Sequence, residues 1–171
     1  MPEASPLIVT LALDQESAQF FNALRQRYFP PDRNFLDAHL TLFHHLPSNE
    51  PKIKEDLVSW SKEREALPLQ ITEVKSIGKG VAYKIEAAPL LQLHRIMQKA
   101  WEPWLKSQDK QKLWPHVTVQ NKVTPAIAKE TWATLQTTFK PFTVTGTGFQ
   151  LWSYEGGPWR FIEAFSFNGK L

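Results

Sequence analysis

HLTL at residues 39–42 and HVTV at residues 116–119 are two nearly identical stretches, and they decide how this chain folds. Alternate side chains of a β-strand share one face. In each stretch the histidine and the threonine therefore lie on one face, and the two aliphatic residues lie on the other. One such motif arises easily by chance. Two copies in matching surroundings predict a pair of related strands, each presenting an imidazole and a hydroxyl.

The residues around the first motif predict a strand, a helix, the motif strand, a second helix and a further strand. The predicted elements are a buried strand at Leu7–Leu13, a helix from Asp14 to a stop at Pro30 and Pro31, the motif strand at 39–46, a helix from Ser48 or Asn49 to about Ala66, and a half-buried strand at 69–74. A glycine-containing turn at residues 77–80 follows them.

The same pattern then repeats in the second half of the chain. Its predicted elements are a strand at Val81–Glu86, a helix from Pro89 with an apolar stripe that reaches Trp104, a polar loop at 106–112, the second motif strand, a helix opened by Thr124 and Pro125, and strands at 142–152 and 160–167. The motifs start at positions 39 and 116, an offset of 77 residues. This internal duplication predicts a pseudo-twofold axis that brings the two motif strands together.

Composition narrows the class of protein. The chain has 171 residues, 42% hydrophobic and 22% charged, which suits one globular domain over residues 1–171. Its net charge of +3 tolerates an anionic ligand but lacks the dense basic surface of a duplex-DNA binder. Without cysteine, thiolate nucleophiles and cysteine-ligated zinc sites are excluded. No apolar run approaches the ~18–20 residues of a membrane span, and no basic leader is apparent, so we expect a cytoplasmic protein.

The two motifs together supply two imidazoles and two hydroxyls, a set suited to acid–base catalysis at phosphorus. With a pKa near 6.5, one imidazole can take a proton from the attacking water or hydroxyl while the other gives one to the leaving oxygen. The hydroxyls of Thr41 and Thr118 would hold the non-bridging phosphoryl oxygens. The residues leave open which of His39 and His116 is the acid. This chemistry requires no metal ion or cofactor.

In this order and setting, the motifs resemble the paired signature of the 2H phosphoesterase superfamily, specifically its 2′-5′ RNA ligase-like branch. The likeness extends to four segments, FPPDRNFLDAHLTLFHHLP, IGKGVAYKIEA, SQDKQKLWPHVTVQNKV and LWSYEGGPW. It implies an α+β, duplicated bilobal fold in which two antiparallel sheets face a central cleft and helices pack outside, with lobes at about residues 1–78 and 79–171. It also implies metal-independent cleavage of 2′,3′-cyclic or 2′-5′-linked phosphoesters. His39, Thr41, His116 and Thr118 fall on the family's catalytic positions.

Residues outside the motifs are candidate substrate contacts. They are Lys79, Tyr83, Gln120, Trp152 and Tyr154, with Lys84 and Lys122 as further candidates for phosphate contact. Trp152, Tyr154 and Trp159 flank a Gly-Gly-Pro turn, where a base could stack, although simple packing explains them equally well. Gln120 continues the alternation of the second motif and could bind a ligand or merely end the strand. Lys79 stands where similar proteins often carry arginine.

Three further histidines lie outside the paired motifs. His44 and His45 follow the first motif, and without carboxylates at ligand spacing they do not predict a metal site. Only His45 shares a face with His39 by alternation. His94 lies in a predicted helix beside Arg95, where we expect it to be solvated.

The first functional hypothesis is a cyclic phosphodiesterase that acts on an RNA end or a small nucleotide, with 2′-5′ ligation as its reverse direction. One alternative is a non-catalytic RNA-end or nucleotide-binding module of the same fold, and another is a histidine-ligated metallohydrolase. Two proton-transfer groups disfavour the first alternative, since binding does not need them. Missing carboxylate–histidine spacing disfavours the second. No membrane association or obligate protein partner is predicted.

Overall fold

The computed structural model describes residues 4–168, which form seven β-strands and four α-helices. The strands are β1 (Leu7–Leu13), β2 (Leu40–Leu46), β3 (Leu67–Ser76), β4 (Val81–Glu86), β5 (His116–Gln120), β6 (Phe142–Tyr154) and β7 (Trp159–Ser166). The helices are α1 (Gln15–Tyr28), α2 (Pro51–Glu63), α3 (Ala88–Trp101) and α4 (Pro125–Thr138). Every predicted element is present in the predicted order. None of these helices is long and apolar enough to cross a membrane. Residues 1–3, on which part of the expectation about a leader rests, lie outside the described residues.

The sheet is antiparallel, with the strand order β2-β1-β6-β3-β4-β5 and with β7 also paired to β6. The two motif strands, β2 and β5, stand at opposite ends of this order. They nevertheless contact each other. The sheet therefore curls until its two ends meet, which brings the two motif strands into contact.

Strand β6 joins the two halves of the curled sheet. Residues 142–146 pair with β3, residues 146–153 pair with β1, and residues 148–154 pair with β7. The predicted α+β, duplicated architecture is confirmed. The two expected sheets share β6, so their hydrogen bonds form one continuous sheet.

The halves of the sheet do not coincide with the halves of the sequence. Strand β3 pairs with β4, and α1 packs on β5, so elements from the first half of the chain support the second motif. In return, β6 pairs with β1, and Phe43 of β2 packs on Trp101 of α3 with 5.0 Å between ring centroids. Each motif strand is thus supported by elements from the other half of the sequence.

The starts of two helices follow from their capping residues. Asp14 caps α1, accepting a hydrogen bond from the backbone N–H of Ser17, and Thr124 caps α4 in the same way. Helix α2 instead begins at Pro51, after Glu50, and not at the predicted serine or asparagine caps. Proline suits this first position because it has no N–H that would be left unpaired.

The buried stripe of α3 corrects the expectation for His94. This residue lies on the same stripe as Leu90 and Met97 and is only 3% exposed. Its ring stacks on Phe43 at 4.7 Å, and its Nε2–H donates to the carbonyl of Leu42 at 2.9 Å. Burial lowers the pKa of His94. The imidazole is therefore a structural group of the core and is not solvated.

Candidate active site

The four motif side chains are half-buried, and the aliphatic residues that alternate with them are buried. These aliphatic residues are Leu40, Leu42, Val117 and Val119, each at most 2% exposed. The predicted alternation is therefore confirmed. His39 directly precedes β2, and His116 is the first residue of β5. Among residues 4–168, no protein group forms a hydrogen bond with the hydroxyl of Thr41 or Thr118, so both are free to bind a ligand.

The two motif imidazoles are held in the same way. Nδ1 of His39 lies 2.8 Å from the carbonyl oxygen of Asp37, and Nδ1 of His116 lies 2.7 Å from that of Trp114. Because a carbonyl oxygen only accepts hydrogen bonds, Nδ1 carries a proton in each ring. Nε2 is left to take or give a proton. In both motifs the carbonyl belongs to the residue two positions before the histidine.

The surroundings of both rings disfavour a positive charge. Burial is the main reason that the pKa of His39 is lowered to about 4; the charge of Arg25 and the positive forms of His116 and His44 act in the same direction, while the hydrogen bond to the Asp37 carbonyl opposes the change. Burial also lowers the pKa of His116 below its usual 6.5. Both imidazoles are therefore neutral at neutral pH in the unliganded protein. An anion bound between them would favour protonation of one ring.

A tryptophan packs on each imidazole. The ring centroids of Trp159 and His39 are 4.7 Å apart, and those of Trp114 and His116 are 4.1 Å apart in a stacked pair. These indoles cover part of each imidazole and contribute to its burial. Sequence reasoning missed Trp114. Its position two residues before His116, where it also supplies the orienting carbonyl, is the signal that could have revealed it.

Strands β1 and β6 form one wall of a recess beside the first motif. Thr10 is the cross-strand partner of both Thr41 and Gln150, so these three side chains share a face. The Thr10 hydroxyl donates to Gln150 at 3.1 Å and accepts from the indole N–H of Trp152 at 2.9 Å. Trp152, Gln150 and His39 line one recess of about 140 Å³. This is below the ~300–1,000 Å³ of typical small-molecule sites, so the recess suits one part of a nucleotide.

Three of the other candidates lie at the surface or beside the second motif. Lys79 is exposed in the turn between β3 and β4, and Tyr154 is 39% exposed at the end of β6. Lys84 is the cross-strand partner of His116 and lies 3.5 Å from a carboxylate oxygen of Glu86. Lys84 is thus the basic residue that pairing places beside the second motif, while Lys79 and Tyr154 remain predicted contacts.

The interpretation of Gln120 as a ligand contact is wrong. Strand β5 has one extra residue between Thr118, opposite Ala82, and Gln120, opposite Val81. This β-bulge breaks the alternation and turns Gln120 into the core. There it is 1% exposed, and its amide donates to the Thr131 hydroxyl at 2.8 Å.

Strand β2 has a bulge at the corresponding place. Thr41 lies opposite Thr10, whereas Phe43 lies opposite Val9, so β2 also has one extra residue after its threonine. Phe43 is buried in the core, as Gln120 is. The bulges end the face of each motif at its threonine, so alternation from His39 does not extend along the rest of β2.

The interpretation of Tyr83 as a substrate contact is also wrong. Its cross-strand partner is Val117, the buried residue between the two side chains of the second motif. Its ring packs against Phe21 at 5.5 Å and Phe139 at 5.9 Å, between centroids. Burial raises the pKa of Tyr83 to about 12. Tyr83 therefore packs beneath α1 and α4, on the reverse side of the sheet.

A buried carboxylate holds the free edge of β2, and sequence reasoning missed it. Asp109 accepts from the backbone N–H groups of His44 and His45, each at 2.9 Å, and from Nδ1–H of His44 at 3.1 Å. Because β2 ends the sheet, these N–H groups have no strand partner. Across the described part of the chain, no three His, Asp or Glu side chains are grouped to hold a metal ion. Asp109 therefore acts on the first motif strand through hydrogen bonds.

Asp109→Asn should destabilise the protein by about 1–3 kcal/mol at neutral pH, because one acceptor oxygen and the charge are lost. Burial opposes ionisation of Asp109, but its hydrogen bonds from His44 and His45 lower its pKa below 3.8. A carboxyl whose pKa is lower in the folded than in the unfolded protein stabilises the fold at pH values above its unfolded pKa. This stabilisation disappears as the pH falls through its folded pKa. The difference between variant and wild type should therefore shrink in acid. Urea unfolding at several pH values measures it.

The matched control is Asp32→Asn, which changes an exposed aspartate. It should leave the free energy of unfolding within about 0.5 kcal/mol of wild type. Equal stabilities of the Asp109 variant and wild type at neutral pH would contradict the assigned role.

The comparisons with known proteins agree with this geometry. Residues 13–158, which include both motifs, match the family model of the 2′-5′ RNA ligase superfamily. The structure of TT0787 of Thermus thermophilus is 16% identical, with a TM-score of 0.66 over 97% of this chain and 100% of its own. E. coli LigT complexed with 3′-AMP is 17% identical, with a TM-score of 0.58 over 97% and 99%. LigT complexed with phosphate is 17% identical, with a TM-score of 0.56 over 98% and 99%. No curated protein matches the chain in sequence.

Proposed function

The chain belongs to the 2′-5′ RNA ligase superfamily, and from this membership we propose that it is a metal-independent phosphoesterase. Its proposed substrates are 2′,3′-cyclic or 2′-5′-linked phosphoesters of RNA ends or nucleotides. The observation that carries the proposal is the matched pair of imidazoles. Each ring donates its Nδ1–H to the carbonyl oxygen of the residue two positions upstream. Two rings oriented alike, each beside a free hydroxyl, suit a proton acceptor and a proton donor on one phosphate.

In the proposed reaction, water attacks the phosphorus of a 2′,3′-cyclic phosphate. One motif imidazole accepts the proton of water at Nε2 as the new P–O bond forms. The other, protonated at Nε2, gives its proton to the 2′ or 3′ oxygen as that P–O bond breaks. The product is a phosphomonoester with a neighbouring free hydroxyl. If a 5′-hydroxyl attacks in place of water and the P–O bond to the 3′ oxygen breaks, the product is a 2′-5′ linkage, which is the ligation direction.

Thr41 and Thr118 donate hydrogen bonds to the non-bridging oxygens in this proposal. Their free hydroxyls support the role, because a hydroxyl already bonded to the protein would have to break that bond first. The low pKa values of the two imidazoles also fit an anionic substrate. Its negative charge would stabilise the imidazolium needed as the acid.

The recess lined by Trp152 and His39 is the proposed site for a base. The indole of Trp152 is fixed by a hydrogen bond to Thr10, so a base could stack on this ring with little loss of side-chain entropy. Lys79, Lys84 and Tyr154 are proposed as further contacts to phosphate or sugar. Complexes of E. coli LigT with 3′-AMP and with phosphate support a ligand of this class.

The test is a substrate panel in the presence of EDTA. We expect the protein to open 2′,3′-cyclic nucleotides or to cleave 2′-5′-linked oligonucleotides, and to retain its rate with the chelator, since the imidazoles and hydroxyls supply the chemistry. Chromatography of the products against 2′- and 3′-monophosphate standards identifies the phosphate position. The His39→Ala protein is the control for a contaminating phosphodiesterase.

The panel separates the alternatives. Binding of the nucleotides without turnover would favour a non-catalytic RNA-end or nucleotide-binding module. Loss of activity with EDTA and its recovery with zinc or manganese would favour a metallohydrolase. Either result would overturn the proposal.

A further inference from the structure

Arg25 of α1 is a buried arginine that no step of the proposed reaction uses. It is 4% exposed, and its guanidinium lies 4.1 Å from the ring centroid of Phe29. Burial lowers the pKa of Arg25, and the charge of Asp37 opposes this. Arginine nevertheless stays ionised in proteins. Burying a charge is costly unless its hydrogen bonds are satisfied, so the partners of this group explain its presence.

The guanidinium of Arg25 forms hydrogen bonds in two directions. Its Nε–H donates to the Asn34 side-chain oxygen and to the Leu36 carbonyl, each at 3.1 Å. Its Nη1–H donates to the carbonyl of Thr118 at 3.0 Å. The first two acceptors lie in the loop between α1 and β2, and the third lies on β5. One side chain therefore connects the approach to the first motif with the second motif itself.

Both ends of this connection lie next to the proposed catalytic groups. Leu36 immediately precedes Asp37, whose carbonyl holds Nδ1–H of His39. Thr118 supplies one of the two free hydroxyls, and its carbonyl is the group that Arg25 binds. A shift of the guanidinium would thus move the orienting carbonyl of one motif relative to the hydroxyl of the other.

Strand pairing does not fix the distance between the two motifs. Strands β2 and β5 are at opposite ends of the strand order, so within residues 4–168 no backbone ladder joins them directly. A guanidinium presents several N–H groups in one rigid plane, whereas an ammonium is a point charge on a flexible stem. We propose that Arg25 is a positioning residue that sets the spacing and orientation of the two motifs across the cleft. This proposal rests on the proposed function.

Arg25 also contributes charge near His39. The other charged or titratable groups that act on this imidazole are His116 and His44, and all three lower its pKa, while the hydrogen bond to the Asp37 carbonyl raises it. Removal of the guanidinium charge should therefore raise the pKa of His39. A role confined to general stability would not produce this change in an otherwise folded protein.

The test compares two variants. Arg25→Gln removes both the charge and the planar set of N–H donors, whereas Arg25→Lys keeps the charge and loses the planar set of donors. For both variants we expect kcat to fall by about 10- to 100-fold with a much smaller change in KM, because Arg25 shapes the site without touching substrate. NMR titration of the histidine ring protons should show a raised His39 pKa in Arg25→Gln and a smaller shift in Arg25→Lys. Arg27→Gln, in the same helix but exposed, should match wild type in both measurements.

The outcomes distinguish this proposal from the proposed function. Wild-type kcat in folded Arg25→Lys and Arg25→Gln proteins, with only a lower melting temperature, would overturn the positioning role. If Arg25→Gln does not fold, kcat of Arg25→Lys decides. If the wild-type protein turns over no substrate, the proposed function fails. In that case the NMR titration alone tests whether Arg25 acts on His39. An unchanged His39 pKa in both folded variants would contradict that action.

Discussion

Replacing either His39 or His116 with alanine should lower kcat by about 10²–10⁴-fold on every substrate that the wild-type protein turns over. Each variant loses one of the two proton carriers, and water in its place is neither oriented nor matched in pKa. Affinity for the substrate should change much less, because the imidazoles act mainly in the transition state. Single-turnover rates measure the chemical step without product release.

The control for these two variants is His45→Ala. His45 is exposed, and its contact with Asp109 is through the backbone, so its alanine variant should turn over substrate like wild type. The variant with both motif histidines replaced should be scarcely slower than the single variants, because two groups that act in one concerted step are not additive. Near wild-type rates in the single variants, in protein folded by circular dichroism, would show that the site is wrongly assigned.

Thr41→Val and Thr118→Val should each slow turnover by about 10²-fold and also weaken the binding of a phosphate product. Removal of one donor to a developing oxyanion typically costs about 10²–10³-fold in kcat. The non-bridging oxygens are already charged in the product, so affinity should fall as well, unlike in the histidine variants. Calorimetric titration with 3′-AMP and inorganic phosphate, together with single-turnover rates, checks both effects.

Serine variants provide the matched comparison. Thr41→Ser and Thr118→Ser keep the hydroxyl and lose only a methyl group, so they should retain most of the turnover and of the phosphate affinity. Equal losses in the serine and valine variants would assign the threonines to packing. Unchanged phosphate affinity in both valine variants would remove them from the phosphate site.

Much of the fold could be predicted because the signals are local. Alternation along HLTL and HVTV identifies both motif strands and the buried faces of Leu40 and Val117. Capping chemistry places the starts of α1 and α4 at Asp14 and Thr124. The duplication, with motif starts at positions 39 and 116, predicts that the two motifs serve one cleft. The contact between β2 and β5 agrees with that prediction.

The tertiary structure decided the features that depend on register. A single extra residue in β5 moves Gln120 from the predicted cleft face to the core, because every later side chain of a strand changes face when the pairing shifts by one. Alternation also could not show which side of β4 α1 and α4 would cover, so Tyr83 was assigned to the wrong side of the sheet. Neither feature has a signal within the strand itself.

The sequence by itself determined the chemical groups of the site, and the tertiary structure determined how they are held. His39 and His116 are evident in the sequence, since a repeated motif needs only local comparison. Arg25 and Asp109 are not, because Arg25 meets Thr118 across 93 residues and Asp109 meets His44 across 65. Such contacts exist only after the sheet has curled and the helices have packed on it. Most of their partners are backbone groups, which every residue has, so no side-chain pattern in the sequence records these contacts.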